Sequence, residues 1–352
     1  MKKKYRTMII ACCLLAGMAA CSPDGTEPGG SNAAPRTITL RIGTPESDEV
    51  EYTRATPEEA ETAINSLTIY DFLVKAGTGS AKADTLLQGM QYLQKTSGTG
   101  NPQPGYFVSG SGGATACLSL HEAVGDKRLF VCIANEGRTH FDSIMQPGVT
   151  PLDSLRWTPA TRILKSGESC DRLIADGIVM TGISKEVTIE DNMTCAIKLE
   201  RIVARVDVEH KVPGEFQIIS VGIEGAASRG FLFGHDSGKT LTAGKYNYHS
   251  NVSQSQNPAI QTQLSALTKG GNCDKVLYLY EYLADSSGVA TAVPIIVMKY
   301  RLNNSNGTTR VPMKQANDTR FSIRRNRKYT LVVGDGTTTT RLVCTLREET
   351  EN

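Results

Sequence analysis

The chain has 352 residues, 39% of them hydrophobic, with 38 Lys and Arg against 36 Asp and Glu. A net charge of +2 leaves no electrostatic footprint for a nucleic acid, and a mean hydropathy of −0.23 excludes a polytopic membrane protein. Removing the first 54 residues takes away seven basic and six acidic side chains and leaves 31 against 30, so the balance belongs to the body of the chain. A remainder of roughly 300 residues suits two domains of ~150 better than one.

Lys2, Lys3, Lys4 and Arg6 precede an apolar run from Met8 to Ala20, whose 13 residues fall short of a bilayer span. This is the layout of a signal peptide over residues 1–20. Small residues lead into Cys21 in Met18-Ala19-Ala20-Cys21, the arrangement of a lipoprotein cleavage box in which Cys21 carries the lipid. Cys12 and Cys13 show that the run tolerates cysteine, which keeps a non-lipidated secretory peptide as the alternative. Ser22 to Ala34, rich in Gly, Ser and Pro, reads as a flexible tether. Thr37 to Ile42 then alternates polar and apolar residues, placing Ile38, Leu40 and Ile42 on one face of a strand. Pro45 to Thr53 is acidic and loop-like, and Arg54-Ala55 offers an exposed arginyl bond. A strand tethered at one end and followed by a cleavable loop reads as removable, which makes 21–54 a pro-segment.

Thr56 to Glu59 resembles a capped start to a helix that is short, because Ile64 follows closely. Leu67 to Val74 is a nearly continuous apolar run of strand length, and Gln88 to Gly105 reads as a polar loop. Strands are expected at 106–108, 116–120 and 127–134, the last ending in an Asn and Gly turn. A short helix is expected around Leu155, and small strands at 178–182 and 187–189. Thr194 to Val208 carries the longest β signal; Arg201 and Arg205 interrupt it, so a register slip or bulge is expected. Lys211-Val212-Pro213-Gly214 breaks the pattern and sets a division into domains at 55–212 and 213–352. A second β set follows at 216–223, 277–282, 294–301, 321–323, 329–333 and 341–346, while 226–267 is polar and without a clear pattern. Short strands, turn signals and little helical periodicity predict an all-β chain with one β-sandwich per half.

Six cysteines remain beyond Cys21, at 117, 132, 170, 195, 273 and 344, with no CxxC and no metal spacing. They lie mostly in strand-like text and read as buried free thiols; an extracytoplasmic site also permits disulfides. No catalytic constellation stands out. His121, Glu122 and His140 match no ligand spacing, Ser109 to Gly113 lacks the Lys-Ser/Thr of a phosphate loop, and no GxSxG occurs. Arg324, Arg325, Arg327 and Lys328 read as solvated charge, and Trp157 as core rather than a sugar platform. The chain is therefore expected to be no enzyme and to need no metal or cofactor.

Taken in order, the lipobox at Cys21, the strand before Arg54-Ala55, Ile64 to Ile69, Leu129 to Asn135, Met180-Thr181-Gly182, Leu199 to Val206 and Ile323 to Tyr329 resemble the fimbrillin family of type V pili. The closing stretch matches that family's Arg-Asn-x-x-Tyr text. The resemblance implies two tandem transthyretin-like β-sandwich domains. It also implies export as an outer-membrane lipoprotein and cleavage after Arg54 by an arginine-specific protease. In the family, loss of the N-terminal strand opens a groove that a C-terminal strand of a neighbouring subunit fills.

Physics favours the same scheme: a sandwich that loses a strand exposes apolar side chains and a row of unpaired backbone groups. Arg341 to Arg347 supplies a candidate donor with Leu342, Cys344 and Leu346 on one face, or else the last strand of the second domain. The expected function is a structural subunit of an extracellular fimbria that contributes to adhesion. Its expected partners are other fimbrial subunits, the protease, the outer membrane through lipid on the precursor, and a host or bacterial surface receptor. The alternative is a non-polymerising surface lipoprotein, either a pilus anchor or an adhesin that binds glycan or host protein.

Overall fold

The computed structural model describes residues 36–43, 59–74, 85–98, 100–110, 113–120, 125–136, 145–156, 158–234, 252–256, 258–283, 293–313, 321–335 and 344–348. In chain order the first part comprises β1 (Arg36–Gly43), helix α1 (Glu59–Thr62), β2 (Leu67–Leu73), β3 (Leu86–Lys95), β4 (Tyr106–Gly110), β5 (Gly113–Leu120) and β6 (Lys127–Ala134). It continues with helix α2 (Leu152–Arg156), β7 (Met180–Ile183), β8 (Val187–Thr188), β9 (Thr194–Lys198) and β10 (Glu200–Arg201). These strands form one ten-stranded sheet in the order β10-β7-β6-β2-β3-β4-β5-β1-β9, with β8 beside β6.

That sheet folds back on itself. Ile38, Leu40 and Ile42 of β1 and Leu118 of β5 share one core with Ile69 of β2 and with Phe130 and Cys132 of β6. The two ends approach where a Cβ on Gly182 would run into the Lys198 carbonyl, so the Met180-Thr181-Gly182 stretch needs its glycine for close backbone approach. The opposite faces of β2 and β6 are buried too. Tyr70, Phe72, Val131 and Ile133 belong to a second core that includes Leu155, Leu164 and Val179. Burial on both faces is why these two strands read as apolar runs rather than alternating ones.

The second part holds β11 (Val203–His210), β12 (Phe216–Ala226), β13 (Val252–Ser255), helix α3 (Pro258–Ala266), β14 (Asn272–Tyr280) and β15 (Tyr282–Leu283). It ends with β16 (Ile295–Leu302), β17 (Ser305–Pro312), β18 (Phe321–Ile323), β19 (Lys328–Val333) and β20 (Cys344–Glu348). Two four-stranded sheets, β14-β11-β19-β20 and β13-β12-β16-β17, enclose one core of Val206, Leu277 and Leu331 against Ile218, Val221 and Ile296. The chain is all-β, with few helices. Among the described residues no helix is long and apolar enough to cross a membrane.

Four local differences from the sequence reading have physical causes. The first eight residues of the expected loop from Gln88 to Gly105 belong to β3, where only Leu87 and Leu93 are buried; pairing with β2, rather than its own alternation, makes it a strand. β17 has no apolar pattern, yet Asn303 and Asn304, at φ 46° and 64°, form a two-residue turn that pairs Leu302 with Ser305 and folds it onto β16. The run from Thr194 to Val208 is three strands rather than one with a slip. β9 lies on β1, β10 on β7, and β11 in the other half, paired with β14 and β19; a bulge remains between Val206 and Val208. Sheet membership thus changes at Ile202. Pro35–Asn352 forms one compact unit, consistent with β2 and β6 being apolar on both faces.

The fourth difference concerns the basic cluster. Arg325 is buried, with Nε 3.1 Å from Glu281 and its terminal nitrogens donating to the carbonyls of Leu232 (2.9 Å) and Phe231 (3.0 Å). Asn326 takes φ 55°, and the Tyr329 hydroxyl accepts a bond from the Arg324 amide at 2.9 Å. The Arg-Asn-x-x-Tyr text is therefore a structural turn: arginine locks inward, asparagine reverses the chain, and tyrosine closes it. Arg325 is not solvated charge.

Candidate strand-exchange site

β1 is inserted between two strands. Arg36 to Gly43 run antiparallel to β5, opposite Leu120 to Gly113, while Thr39 to Gly43 run parallel to β9, opposite Thr194 to Lys198. Bonds from the Thr39 amide to the Met193 carbonyl (3.1 Å) and from the Leu199 amide to the Gly43 carbonyl (2.8 Å) extend the β9 side. Ile38 and Leu40 are 0% exposed and Ile42 is 2% exposed, whereas Arg41 on the other face is exposed. The alternation legible in the sequence thus coincides with the buried face. Burial of each of these three side chains is worth roughly 1.5–3 kcal/mol before entropy is subtracted. Gly113 sets the closeness of the fit, because a Cβ there would collide with the Ile42 carbonyl. Without β1, the facing edges of β5 and β9 and the floor of the core would be open together.

Cys21, Arg54 and Ala55 lie outside the described residues, as do His121, Glu122, His140 and Trp157. The structure picks up again at α1, and there it reveals a polar cluster. Glu61 is 4% exposed; its carboxylate sits 2.9 Å from the Arg205 guanidinium and accepts a bond from the Tyr278 hydroxyl. Arg205 also meets Asp207 at 2.8 Å, and Asp207 accepts the Lys275 amide at 2.7 Å. Burial works against the Arg205 charge, but the Asp207 and Glu61 carboxylates outweigh it and hold its pKa above the ordinary arginine value. Burial, then the Glu61 carboxylate, pushes the Tyr278 phenol up. Arg201, brought down to about 10 by burial and then by Arg205, donates to the Glu61 carbonyl at 3.3 Å. The signal for this cluster was in the sequence: two arginines inside a strong β run. The carboxylate that answers them lies some 140 positions earlier and had no mark of its own.

A second clasp follows. Asn135, at φ 62°, donates from Nδ2 to the carbonyls of Ala63 (2.7 Å) and Ile178 (2.8 Å) and accepts the Asn65 amide at 2.8 Å. It was read only as a turn residue. Its φ bears out the turn, and its side chain also stitches the entry of β2 to the exit of β6.

Of the candidate donor residues, Leu342 lies outside the described residues; Cys344 and Leu346 are half-buried against the core. Their strand, β20, pairs antiparallel with β19 of its own chain, Val333 to Tyr329 opposite Cys344 to Glu348, and is the edge of its sheet among the described residues. All six cysteines among the described residues are free thiols, as expected, and five are buried. Burial pushes the thiols of Cys132 and Cys195 up and that of Cys344 up to about 11. Among the described residues no group of His, Cys, Asp or Glu is arranged to hold a metal ion.

No protein-family model matches the chain, and no curated protein sequence does. Solved structures do. The chain is similar to the tip fimbrial protein Mfa3 from Porphyromonas gingivalis, with a TM-score of 0.56 and 12% identity over 89% of this chain and 99% of that one. It is also similar to a fimbrial assembly protein from Parabacteroides distasonis, with a TM-score of 0.51 and 12% identity over 89% and 95% of the two chains. At this identity the likeness is one of architecture: the chain has the all-β fold of these fimbrial proteins, in agreement with the fimbrillin resemblance read from its sequence.

Proposed function

We propose that this chain is a subunit of a surface fimbria, exported as a lipoprotein on Cys21, cleaved after Arg54, and assembled by donor-strand exchange. The observation that carries the reading is the position of β1. It is a strand at the start of the described chain, paired on both sides, whose three core side chains complete the floor of a sandwich. Cleavage between 44 and 58 turns β1 from an intramolecular strand into a noncovalent peptide. An incoming strand with apolar residues at alternate positions then competes for the same two edges, and main-chain hydrogen bonds give it affinity. Partners on this reading are other fimbrial subunits and an arginine-specific protease, with a surface receptor for adhesion. The outer membrane holds the precursor, and the fimbria lies outside the cell. No catalysis is required.

A second reading is favoured by β20, which is folded into its own sheet beside β19. A subunit whose C-terminal strand stays there accepts a neighbour's strand but donates none, and sits at the end of the assembly as a tip; an anchored lipoprotein would instead keep β1 and Cys21 uncut. One experiment separates these readings. The purified precursor is treated with an arginine-specific protease, and the products are followed by intact mass, N-terminal sequencing and a native gel. A new terminus at Ala55 with a ladder of higher-mass species is the expected result for an interior subunit. A cut without a ladder supports the accept-only reading, while a folded chain in which Arg54 resists cleavage sinks the maturation scheme.

A further inference from the structure

The chain is held by different forces on the two sides of the segment that carries Arg54. Upstream, β1 is held by backbone ladders and apolar burial. Downstream, the short stretch from Glu61 to Ser66 is held by side chains converging from several elements. Arg205 of β11 and Tyr278 of β14 grip the Glu61 carboxylate, and Arg201 of β10 takes its carbonyl. Asn135, just past β6, takes the Ala63 carbonyl and the Asn65 amide, and the Lys95 ammonium of β3 takes the Ile64 carbonyl at 3.0 Å. Ile64 itself is 1% exposed in the β1 core.

A four-residue helix has no stability of its own. What keeps α1 in place is the buried Glu61 carboxylate, whose ion pair reaches the centre of the other half's sheet. A buried pair of this kind is costly to break from one side, because the remaining charge is left without compensation.

We propose that Glu61 anchors the chain terminus created by cleavage before α1, an inference that rests on the reading of 44–58 as the cleaved segment. The anchor makes loss of β1 a local event. With Glu61 gripped by β11 and β14, the entry of β2 cannot peel away when its covalent link to β1 is gone. Ile64 and Leu67 then stay in the wall of the groove that a new strand must fill. Before cleavage the same grip is partly redundant with β1, which restrains this stretch from its other end. Glu61 therefore matters most in the cleaved protein.

The test uses the full-length chain, cut with an arginine-specific protease and then exposed to a broad-specificity aminopeptidase together with X-Pro and prolyl aminopeptidases, which carry trimming past Thr56-Pro57, with intact mass reporting where trimming stops. In the wild type trimming is expected to halt ahead of Glu61. In Glu61→Ala the cut chain is expected to be trimmed past position 61, up to the stretch that Asn135 and Lys95 still hold, with amides of residues 64–73 exchanging about tenfold faster than in cut wild type. Uncut Glu61→Ala is also expected to exchange faster than uncut wild type in those amides, because Arg205 loses a partner, but by a clearly smaller factor than the cut pair, an excess that a merely structural role would not produce. Glu61→Gln, which keeps an acceptor for Tyr278 but no charge for Arg205, falls between and carries the test if the alanine variant does not fold. An identical trimming end point and identical exchange in wild type and variants overturn the proposal. If Arg54 is not cut, the maturation reading fails separately. A full-length chain with another endoprotease's recognition sequence placed between residues 44 and 58 then tests the anchor by the same readouts.

Discussion

β1 and β20 are the two strands that an exchange mechanism would move, and the fold embeds them differently. β1 is interior, bonded to β5 along its whole length and to β9 along most of it, with Ile38 and Leu40 wholly buried. Among the described residues β20 is an edge strand whose ladder partner is β19, with Cys344 and Leu346 half-buried. The contrast separates two kinds of release. Taking out β1 opens two edges and a core at once, so on the proposed scheme a covalent cut and a replacement strand are both needed. Peeling off β20 opens one edge and a fringe of core, a cost within reach of ordinary fraying.

Truncating the two apolar faces gives the widest test of this contrast. Leu40→Ala should destabilise the uncut chain by about 2–5 kcal/mol, the range for fully buried leucines, whereas Leu346→Ala should cost about 1 kcal/mol. Urea melts of both variants measure the difference, and equal costs would remove the distinction between interior and edge strand. A smaller effect is expected where β1 presses on β5. Gly113→Ala puts a methyl against the Ile42 carbonyl, and about 1–3 kcal/mol is expected from the forced shift. If the melt of Gly113→Ala is unchanged, β1 is not seated as closely as described. The smallest signal is kinetic. In the intact chain Cys344 should react with a thiol reagent about tenfold faster than Cys195, which lies beside β1. Peptide mapping of the labelled sites reads the ratio, and preferential labelling of Cys195 would mean that β1, not β20, opens first.

Much of β1 was legible in the sequence because strand burial has a period of two. Ile38, Leu40 and Ile42 announce a half-buried strand, and the structure buries those three. Leu67 to Val74 and Leu129 to Ala134 announce strands buried on both faces, and β2 and β6 are such strands. The same rule failed at β3 and β17, which owe their conformation to a neighbouring strand and to an Asn-Asn turn. It misled at Thr194 to Val208, where one apolar run serves two sheets and only the arginines mark the crossing. Arg325 was misread because a cluster of charges in sequence says nothing about which member turns inward.

What the sequence determined by itself is local: the alternation of β1, the glycine and asparagine turns, and the apolar strands of the cores. These follow from side-chain period, backbone sterics and hydropathy, which act over a few residues. What only the tertiary structure decided is who stands next to whom. That β1 lies between β5 and β9, that β20 takes an edge, and that Glu61 answers Arg205 and Tyr278 all depend on contacts between residues far apart in the chain. Such pairings are selected by the geometry of closing a sheet on itself and by the penalty for leaving a buried charge alone, and neither leaves a mark on a single segment.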